Sequence, residues 1–292
     1  MPYKVLTVLT LLILMSAPVH GEEFKEALTF SKNDNVLVLA AHPDDETIGC
    51  AGVIQKALGA GAKVKVVLLT NGDNNEFAFL VYKKRPILSS KGLLRMGEVR
   101  RTESIKALTF LGLTEKDIVF LGYPDFGTLE IFKRCWKDCK PYRSMLTKVK
   151  QVSYPEAKTP GASYTGESVL GDIESVLSDF KPTKIFVTHP ADYNVDHEAF
   201  YLFLKVALWD VADKVTESAV FPYLVHASKW PHPRGYHKEL GLEAPKQMER
   251  SVSTWTKEYL TAEELEKKHK AISFYRTEIE YSPRFLYTFA SK

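Results

Sequence analysis

A short apolar segment that ends in a cluster of ionisable side chains restricts the fold of this chain more than any other feature. Residues 36–41, VLVLAA, form an uninterrupted apolar run, typical of a strand buried on both faces of a parallel sheet. Open α/β sheets bind ligands in the crevice beyond the carboxyl ends of such strands. The next residues are His42-Pro43-Asp44-Asp45-Glu46. Because ionisable groups this close repel one another unless a cation or protons neutralise them, the segment predicts a metal site.

Strand-like and helix-like segments alternate along most of the chain. The predicted strands span 36–41, 64–70, 118–121, 184–188 and 219–225, and the predicted helices span 47–60, 93–111, 167–180 and 196–211. This alternation is typical of an α/β fold, here a Rossmann-like, mostly parallel sheet with helices on both faces. Residues 127–166 lack a steady period and are predicted to form an irregular insertion in a single domain spanning residues 22–292. Their many lysines and arginines favour a solvated surface over a flap that binds a sugar or an anionic polymer.

The first residues of the chain have the pattern of a secretory signal. Lys4 precedes an apolar run, and small residues follow it up to a plausible cleavage position after Gly21, so residues 1–21 are predicted to be removed. The apolar run is shorter than the roughly 20 residues that a membrane span requires. We therefore expect a secreted or periplasmic protein without stable membrane insertion after cleavage. A formal charge of +3 gives no indication of a nucleic-acid partner.

Three cysteines leave a choice between a disulfide and a metal knuckle. Cys135 and Cys139 are close enough in sequence to pair in an oxidising compartment, whereas Cys50 lies on a predicted buried helix face. Two cysteines do not form a zinc knuckle without a second Cys/His pair at suitable spacing, and none follows. The disulfide is the favoured prediction.

The residue types that follow the first strand suit hydrolytic metal chemistry. Imidazole and carboxylate groups bind zinc, and a catalytic zinc keeps three protein ligands and one open position. Two adjacent aspartates point in different directions, so one of Asp44 and Asp45 can bind the metal while the other acts as a general base. The alternative is that one of them caps the helix that begins near Thr47. Capping explains one carboxylate but not three beside a histidine.

A second loop of similar composition follows the predicted strand 184–188. Its sequence is HPADYNVDH, from His189 to His197. A lone histidine usually has a structural role, but two such loops on neighbouring strands would converge on the same crevice. The pairing of the loops therefore favours His197 as a third metal ligand.

Together these motifs resemble the LmbE-like or PIG-L family of zinc-dependent N-acetylglucosamine deacetylases. The resemblance covers residues 35–290 and is most specific at Ala41–Glu46 and at the Asp-His pair ending at residue 197. Weaker matches are RRTE at 100–103, YPD at 123–125, YLVH at 223–226 and HKAISFYR at 269–276. The resemblance implies hydrolysis of the acetamide of an N-acetylated sugar or glycan. It also implies His42, Asp45 and His197 as zinc ligands and Asp44 as the base that activates water.

The resemblance assigns further roles around this centre. Asp196 would orient a neighbouring imidazole, Arg100 would reach the substrate, and Asp125 would lie near a sugar hydroxyl. Many family members carry a histidine two residues before the Asp-His pair, where this chain has Asn194. An amide can donate a hydrogen bond to a developing oxyanion but cannot act as an acid. Either Asn194 is a neutral donor, or proton delivery falls to the base or to another histidine, with His226 as the first candidate.

Other function classes fit the sequence less well. A glycosidase needs two carboxylates that flank the scissile bond, whereas Asp44 and Asp45 are adjacent on one loop. Gly49-Cys50-Ala51-Gly52 is only a fragment of a dinucleotide-binding motif. A catalytically weak, metal-bearing carbohydrate-binding protein stays the alternative because of Asn194. Fe²⁺, Mn²⁺ and Co²⁺ are alternatives to Zn²⁺, since sites of histidine and carboxylate accept several divalent ions.

Overall fold

A single parallel sheet of five strands organises the protein. The computed structural model describes residues 28–84, 88–215, 217–246, 248 and 255–291, so the predicted signal at 1–21 lies outside the described residues. The strands are β1 (Asn35–Ala40), β2 (Lys63–Thr70), β3 (Ile118–Tyr123), β4 (Lys184–Thr188) and β5 (Ala219–Tyr223). Their order is β3-β2-β1-β4-β5, and every neighbouring pair is parallel. The predicted Rossmann-like sheet is confirmed, and its strand order reverses between β1 and β4, where such sheets bind ligands.

Helices cover both faces of the sheet, as predicted. Strand β1 alternates between two cores, with Val36 and Val38 packed into one and Leu37 and Leu39 into the other. Helices α1, α3 and α7 contribute to the first core and α5 and α6 to the second. Within the described part of the chain, no helix combines the length and the apolar character that crossing a bilayer requires. The helices are α1 (Asp45–Gly59), α2 (Glu76–Lys83), α3 (Ser90–Leu111), α4 (Thr128–Arg134), α5 (Gly166–Phe180), α6 (Val195–Asp210), α7 (Ala262–Ile272), α8 (Arg276–Ile279) and α9 (Pro283–Thr288).

The segment predicted as an irregular insertion is only partly irregular. The prediction of irregular chain is wrong at 128–134, because these residues form helix α4. Cys135 and Cys139 are joined in a disulfide, as favoured by the sequence, and Cys50 is free and buried. Tyr154 and Tyr164 are fully buried in the second core. The lysines and arginines of residues 132–150 are all exposed, which agrees with a solvated surface over an apolar inner side.

Candidate metal centre and active site

Three predicted metal ligands meet at the reversal point of the sheet. His42 Nδ1 lies 3.2 Å from Asp45 Oδ2, which lies 3.0 Å from His197 Nε2. The two ring nitrogens are 3.3 Å apart. Ligand atoms at about 2.0–2.1 Å from a tetrahedral zinc ion are separated by about 3.3 Å. The three atoms therefore have the spacing of three corners of a tetrahedral site, and all three side chains are buried.

The two loops that supply these ligands converge because their strands are neighbours. Leu39 of β1 pairs with Val187 of β4, so the chain leaves both strands at the same edge of the sheet. The first loop is tightened by the backbone N–H of His42, which donates to Asp45 Oδ2 over 2.9 Å. His197 stands in the first turn of α6 and is fully buried. The geometry thus follows from strand order and from two short strand-to-helix turns.

Asp44, the predicted base, stands in a strained backbone conformation. Its φ of 124° and ψ of −34° are rarely adopted by residues other than glycine and cost on the order of 1–3 kcal/mol. Two contacts hold it there: Asp44 N–H donates to Glu46 Oε2 over 2.9 Å, and Arg100 Nη2 donates to Pro43 O over 3.0 Å. Asp44 occupies the N-cap position of α1, but its side chain forms no capping hydrogen bond and lines a cavity instead. Helix capping therefore does not account for this carboxylate.

Carboxylates lie behind both metal-facing imidazoles. His42 Nε2 lies 3.2 Å from Asp196 Oδ2 and 3.2 Å from Asp125 Oδ1, and His197 Nδ1 lies 3.2 Å from Asp192 Oδ2. Such partners fix the tautomer and ring orientation of metal-binding histidines. Asp196 lies beside His42, and its role in orienting this ring stays a prediction. Asp125 lines the cavity but also supports His42, and sequence reasoning missed Asp192.

Helix α4 holds Asp196 in place. Thr128 donates to Asp196 Oδ1 from both its backbone N–H, over 3.1 Å, and its hydroxyl, and Phe126 N–H donates to Oδ2. Asp196 is fully buried. The start of the segment predicted as irregular therefore helps to position the carboxylate beside His42, a candidate metal ligand.

The two residues considered as oxyanion donors line the cavity, and each uses one end of its polar group for a contact within the protein. Asn194 Oδ1 accepts from Asp196 N–H over 2.9 Å and so caps α6, which leaves the Nδ2 end of the amide for another partner. His226 Nδ1 lies 3.1 Å from Asp192 Oδ1, so its Nε2 is the nitrogen on the other side of the ring. Asn194 and His226 both line the cavity.

Arg100 is held by the protein on three sides. Its Nη1 lies 2.8 Å from Glu278 Oε1 and donates to Gly72 O over 3.2 Å, while Nη2 binds Pro43 O. Arg100 is buried, although it lines the cavity wall. The structure therefore places it as a brace beside Asp44, and the substrate contact assigned from the sequence stays a prediction.

Comparison with known protein families shows which family the chain belongs to. Residues 37–208, more than half of the chain, match the family described as PIG-L: GlcNAc-PI de-N-acetylase. The chain belongs to the PIG-L family. Both loops of the metal centre lie inside the matched region, whereas residues 209–292 lie outside it. Among curated proteins, no match was found.

Solved structures that are similar to this chain include two deacetylases and a hydratase. A deacetylase–teicoplanin complex from the teicoplanin biosynthesis pathway is 16% identical, with 86% of this chain and 88% of that chain covered and a TM-score of 0.50. N,N′-diacetylchitobiose deacetylase from Pyrococcus horikoshii is 20% identical (85% and 72% covered, TM-score 0.47). The 4-carboxy-2-hydroxymuconate hydratase from Pseudomonas putida is 18% identical (88% and 83% covered, TM-score 0.49). At 16% identity the likeness to the teicoplanin deacetylase shows the fold alone.

The charges of this PIG-L centre suit a divalent cation. Burial lowers the pKa of His42, but surrounding carboxylates, Asp125 foremost, raise it well above its usual value. Burial likewise opposes a charge on His197, yet Asp45 and a second aspartate raise its pKa to about 9. Burial and the Asp45 charge raise the pKa of Asp44 well above its usual value. In the protein alone protons balance these carboxylates, and a bound divalent cation would displace them.

A cavity of about 940 Å³ opens over the centre. This volume lies within the range typical of small-molecule sites. Asp44, Asp45 and His42 line it, and further lining residues come from 226–237 and 278–286. A substrate larger than an acetamide group therefore fits beside the metal ligands.

Replacing Asp192 with Asn is expected to lower metal affinity or activity by about 10- to 100-fold. Asp192 faces His197 with one oxygen and His226 with the other, and it accepts from the backbone N–H groups of Val225 and His226 over 2.9 and 2.7 Å. These partners hold its pKa far below the usual range despite burial. Calorimetric zinc titration checks the prediction, with the exposed Asp213→Asn as control. Equal affinity in the Asp192→Asn and control proteins would contradict it.

Proposed function

We propose that the protein is a zinc-dependent amidohydrolase that removes the acetyl group from an N-acetylglucosamine-containing glycan or glycoconjugate. The observation that carries the proposal is the triangle of His42 Nδ1, Asp45 Oδ2 and His197 Nε2, with edges of 3.0–3.3 Å, beside an uncapped Asp44 carboxylate. Membership of the PIG-L family supports the same reaction. Zinc is the proposed metal because the spacing and the donor types fit it, and Fe²⁺, Mn²⁺ and Co²⁺ are the alternatives to be tested.

The protein's own groups divide the work of amide hydrolysis. A zinc ion, when bound, supplies Lewis-acid polarisation of the carbonyl and favours deprotonation of water. Asp44 accepts a proton from the attacking water as the new C–O bond forms. The Asn194 amide donates a hydrogen bond to the developing oxyanion. His226 Nε2 does so as well only when the ring is doubly protonated, because its Nδ1–H already donates to Asp192. The proton held by Asp44 then passes to the nitrogen as the C–N bond breaks, which yields acetate and a free amine.

We also propose that the protein acts outside the cytoplasm, secreted or periplasmic. The support is the signal-like sequence at residues 1–21 and the disulfide between Cys135 and Cys139, a bond that is common in oxidising compartments and rare in the cytoplasm. Fractionation of expressing cells, followed by sequencing of the mature N-terminus, tests this. We expect cleavage after Gly21, and a full-length protein retained in the cytoplasm would contradict the proposal.

Acetate release is the experiment that tests the enzymatic function. Zinc-loaded protein is incubated with a panel of N-acetylated glycans, and mass spectrometry detects products that are lighter by one acetyl group. We expect acetate and new amine in equal amounts, loss of activity on removal of the metal by a chelator, and recovery with added Zn²⁺. Saturable sugar binding without any acetate would instead support the metal-bearing carbohydrate-binding protein, to which Asn194 points.

A further inference from the structure

A second cavity lies apart from the one over the metal centre. Its volume is about 310 Å³, near the lower end of the range typical of small-molecule sites. Among the described residues, the two cavities have no lining residue in common. The large apolar side chains that line the second cavity are those of Ile48, Val53, Leu224, Leu242, Leu260 and Phe289. This cavity therefore suits a small molecule that has an apolar part.

Lys268 lines the second cavity from helix α7, and its amine has no partner. The residue is buried, with only 7% of its surface exposed. Within the described ranges of the chain, its side chain forms neither an ion pair nor a hydrogen bond. The fully enclosed polar atoms that lack a partner do not include its Nζ, so the amine retains contact with open space. Because lysines are almost never this buried unless they are paired, the amine lacks a partner that a ligand could supply.

The carboxylates that line the same cavity are already paired with other lysines. Glu258 forms an ion pair with Lys56 of α1. Glu243 forms an ion pair with Lys257, and 73% of the Glu243 side chain is exposed. Among the described residues of this wall, Lys268 is therefore the charged side chain that is left without a counter-charge.

The other titratable groups near Lys268 do not supply this counter-charge. Cys50 of α1 is close enough for a thiolate to act on the amine, but burial raises the pKa of its thiol far above the usual range, so the thiol is neutral. Tyr259 also lines the cavity, and 61% of its surface is exposed. Burial lowers the pKa of Lys268 to about 8, as expected for an ammonium group without an anion beside it.

We propose that the second cavity is a binding site for a small carboxylate with an apolar chain, and that Lys268 forms an ion pair with the carboxylate. The chain of the ligand lies against the apolar side chains of the wall and leaves water. Folding has already removed water from the amine, so only the carboxylate loses hydration on binding. The site is separate from the metal centre and does not depend on the proposed deacetylase function.

The test measures the binding of a homologous series of carboxylates by calorimetry. Acetate, butyrate and hexanoate are titrated into the zinc-loaded protein, with hexanamide as the neutral match of hexanoate. We expect the affinity to rise roughly fourfold for each added CH₂ group until the cavity is filled. Hexanamide should bind about 10- to 100-fold more weakly than hexanoate. Equal binding of these two compounds, an affinity independent of chain length, or no saturable binding of hexanoate would overturn the proposal.

Two neighbouring lysines of α7 provide a matched pair of variants. Lys268→Met keeps an unbranched side chain without the charge and is expected to weaken hexanoate binding by about 10- to 100-fold. Lys267 is exposed and lies outside the cavity, so Lys267→Met should bind hexanoate like wild type. Thermal unfolding controls for folding, and Lys268→Met should be at least as stable as wild type because it removes an unpaired buried amine. Wild-type affinity in a folded Lys268→Met protein would show that this amine does not bind the anion.

Removal of the zinc separates the second cavity from the metal centre, since a carboxylate can also bind a metal ion. Titrations of hexanoate are therefore repeated after treatment with a chelator. Binding in the second cavity should persist with unchanged affinity, whereas binding at the metal centre should disappear. Hexanoate binding that is lost with the zinc and is insensitive to Lys268→Met would place the carboxylate at the metal centre and refute the proposal.

Proton uptake provides a measurement that needs no variant. Calorimetry in buffers of different ionisation enthalpy counts the protons taken up when hexanoate binds. At about pH 9 the amine of Lys268 is mainly neutral, because its pKa is about 8, so binding should draw close to one proton onto it. At about pH 6.5 the amine is already protonated, and the uptake should be close to zero. Binding without proton uptake at the higher pH would contradict an ion pair with Lys268.

Discussion

The Asp44→Asn protein is expected to bind zinc like wild type and to release acetate about 10²- to 10⁴-fold more slowly. An amide has nearly the shape of a carboxylate but does not accept the proton of the attacking water. Asparagine also has the same side-chain length and branching as the aspartate that already adopts the strained backbone at this position, so we expect that conformation to persist. The measurement is kcat for acetate release, with zinc content determined by mass spectrometry on the same preparation.

The contrast between two neighbouring carboxylates sharpens this prediction. Asp45→Asn removes a ligand atom from the metal triangle and is expected to lower zinc content, whereas Asp44→Asn lowers the rate alone. Circular dichroism on both variants controls for folding. If Asp44→Asn hydrolysed substrate at the wild-type rate, Asp44 would not be the base.

The convergence of His42, Asp45 and His197 could be predicted from the sequence because each lies in a short turn after a strand, whereas the choice of Asp45 over Asp44 as the ligand came from the family resemblance. Each turn joins a buried strand to a helix within a few residues, and the apolar runs of β1 and β4 identify both strands directly. Strand adjacency then brings His197 to His42 and Asp45, although about 150 residues separate them in the chain. Every contact of the triangle depends on the topology that alternating strands and helices already indicate.

Contacts made by distant, weakly patterned segments could not be predicted in the same way. Arg100 lies in a motif of the family and could be identified as a site residue from the sequence. Its partner Glu278 could not, because it lies in α8, a four-residue helix without periodicity. Asp192 lies between the two histidines of the second loop, and this position was the signal from which its role beside an imidazole could have been predicted. Its contact with His226, however, depends on where the chain leaves β5. Short helices such as α8 are set by tertiary packing more than by propensity, so local sequence carries little information about them.

The irregular insertion shows a second limit of sequence patterns. Charge density favoured a solvated surface, and the basic side chains are indeed exposed, but Tyr154 and Tyr164 of the same segment are fully buried. Tyr154 also donates to Asp73 over 2.6 Å behind the active site. A segment without a steady period can therefore pack as core on its inner side, and only the three-dimensional neighbours show which residues face inwards.

The His197→Ala protein is expected to lose its bound zinc and all measurable acetate release. The substitution removes one of three ligand atoms and leaves the carboxylates of Asp45 and Asp192 without their shared imidazole. The loss of zinc affinity should exceed the roughly 10- to 100-fold cost of removing a group that only orients a ligand. Zinc content per protein chain, measured after dialysis against zinc-free buffer, checks this.

His189→Ala on the same loop is the matched control. His189 is also buried, but its ring stacks on Trp255 and its Nδ1 accepts from Ala191 N–H over 3.0 Å, so it does not face the metal ligands. The His189→Ala protein should therefore keep its zinc, whatever small loss of stability it suffers. Because both histidines follow the same strand, this pair of variants separates damage to the loop from loss of a ligand. Full zinc content in the His197→Ala protein would show that the ion is not held between the two loops.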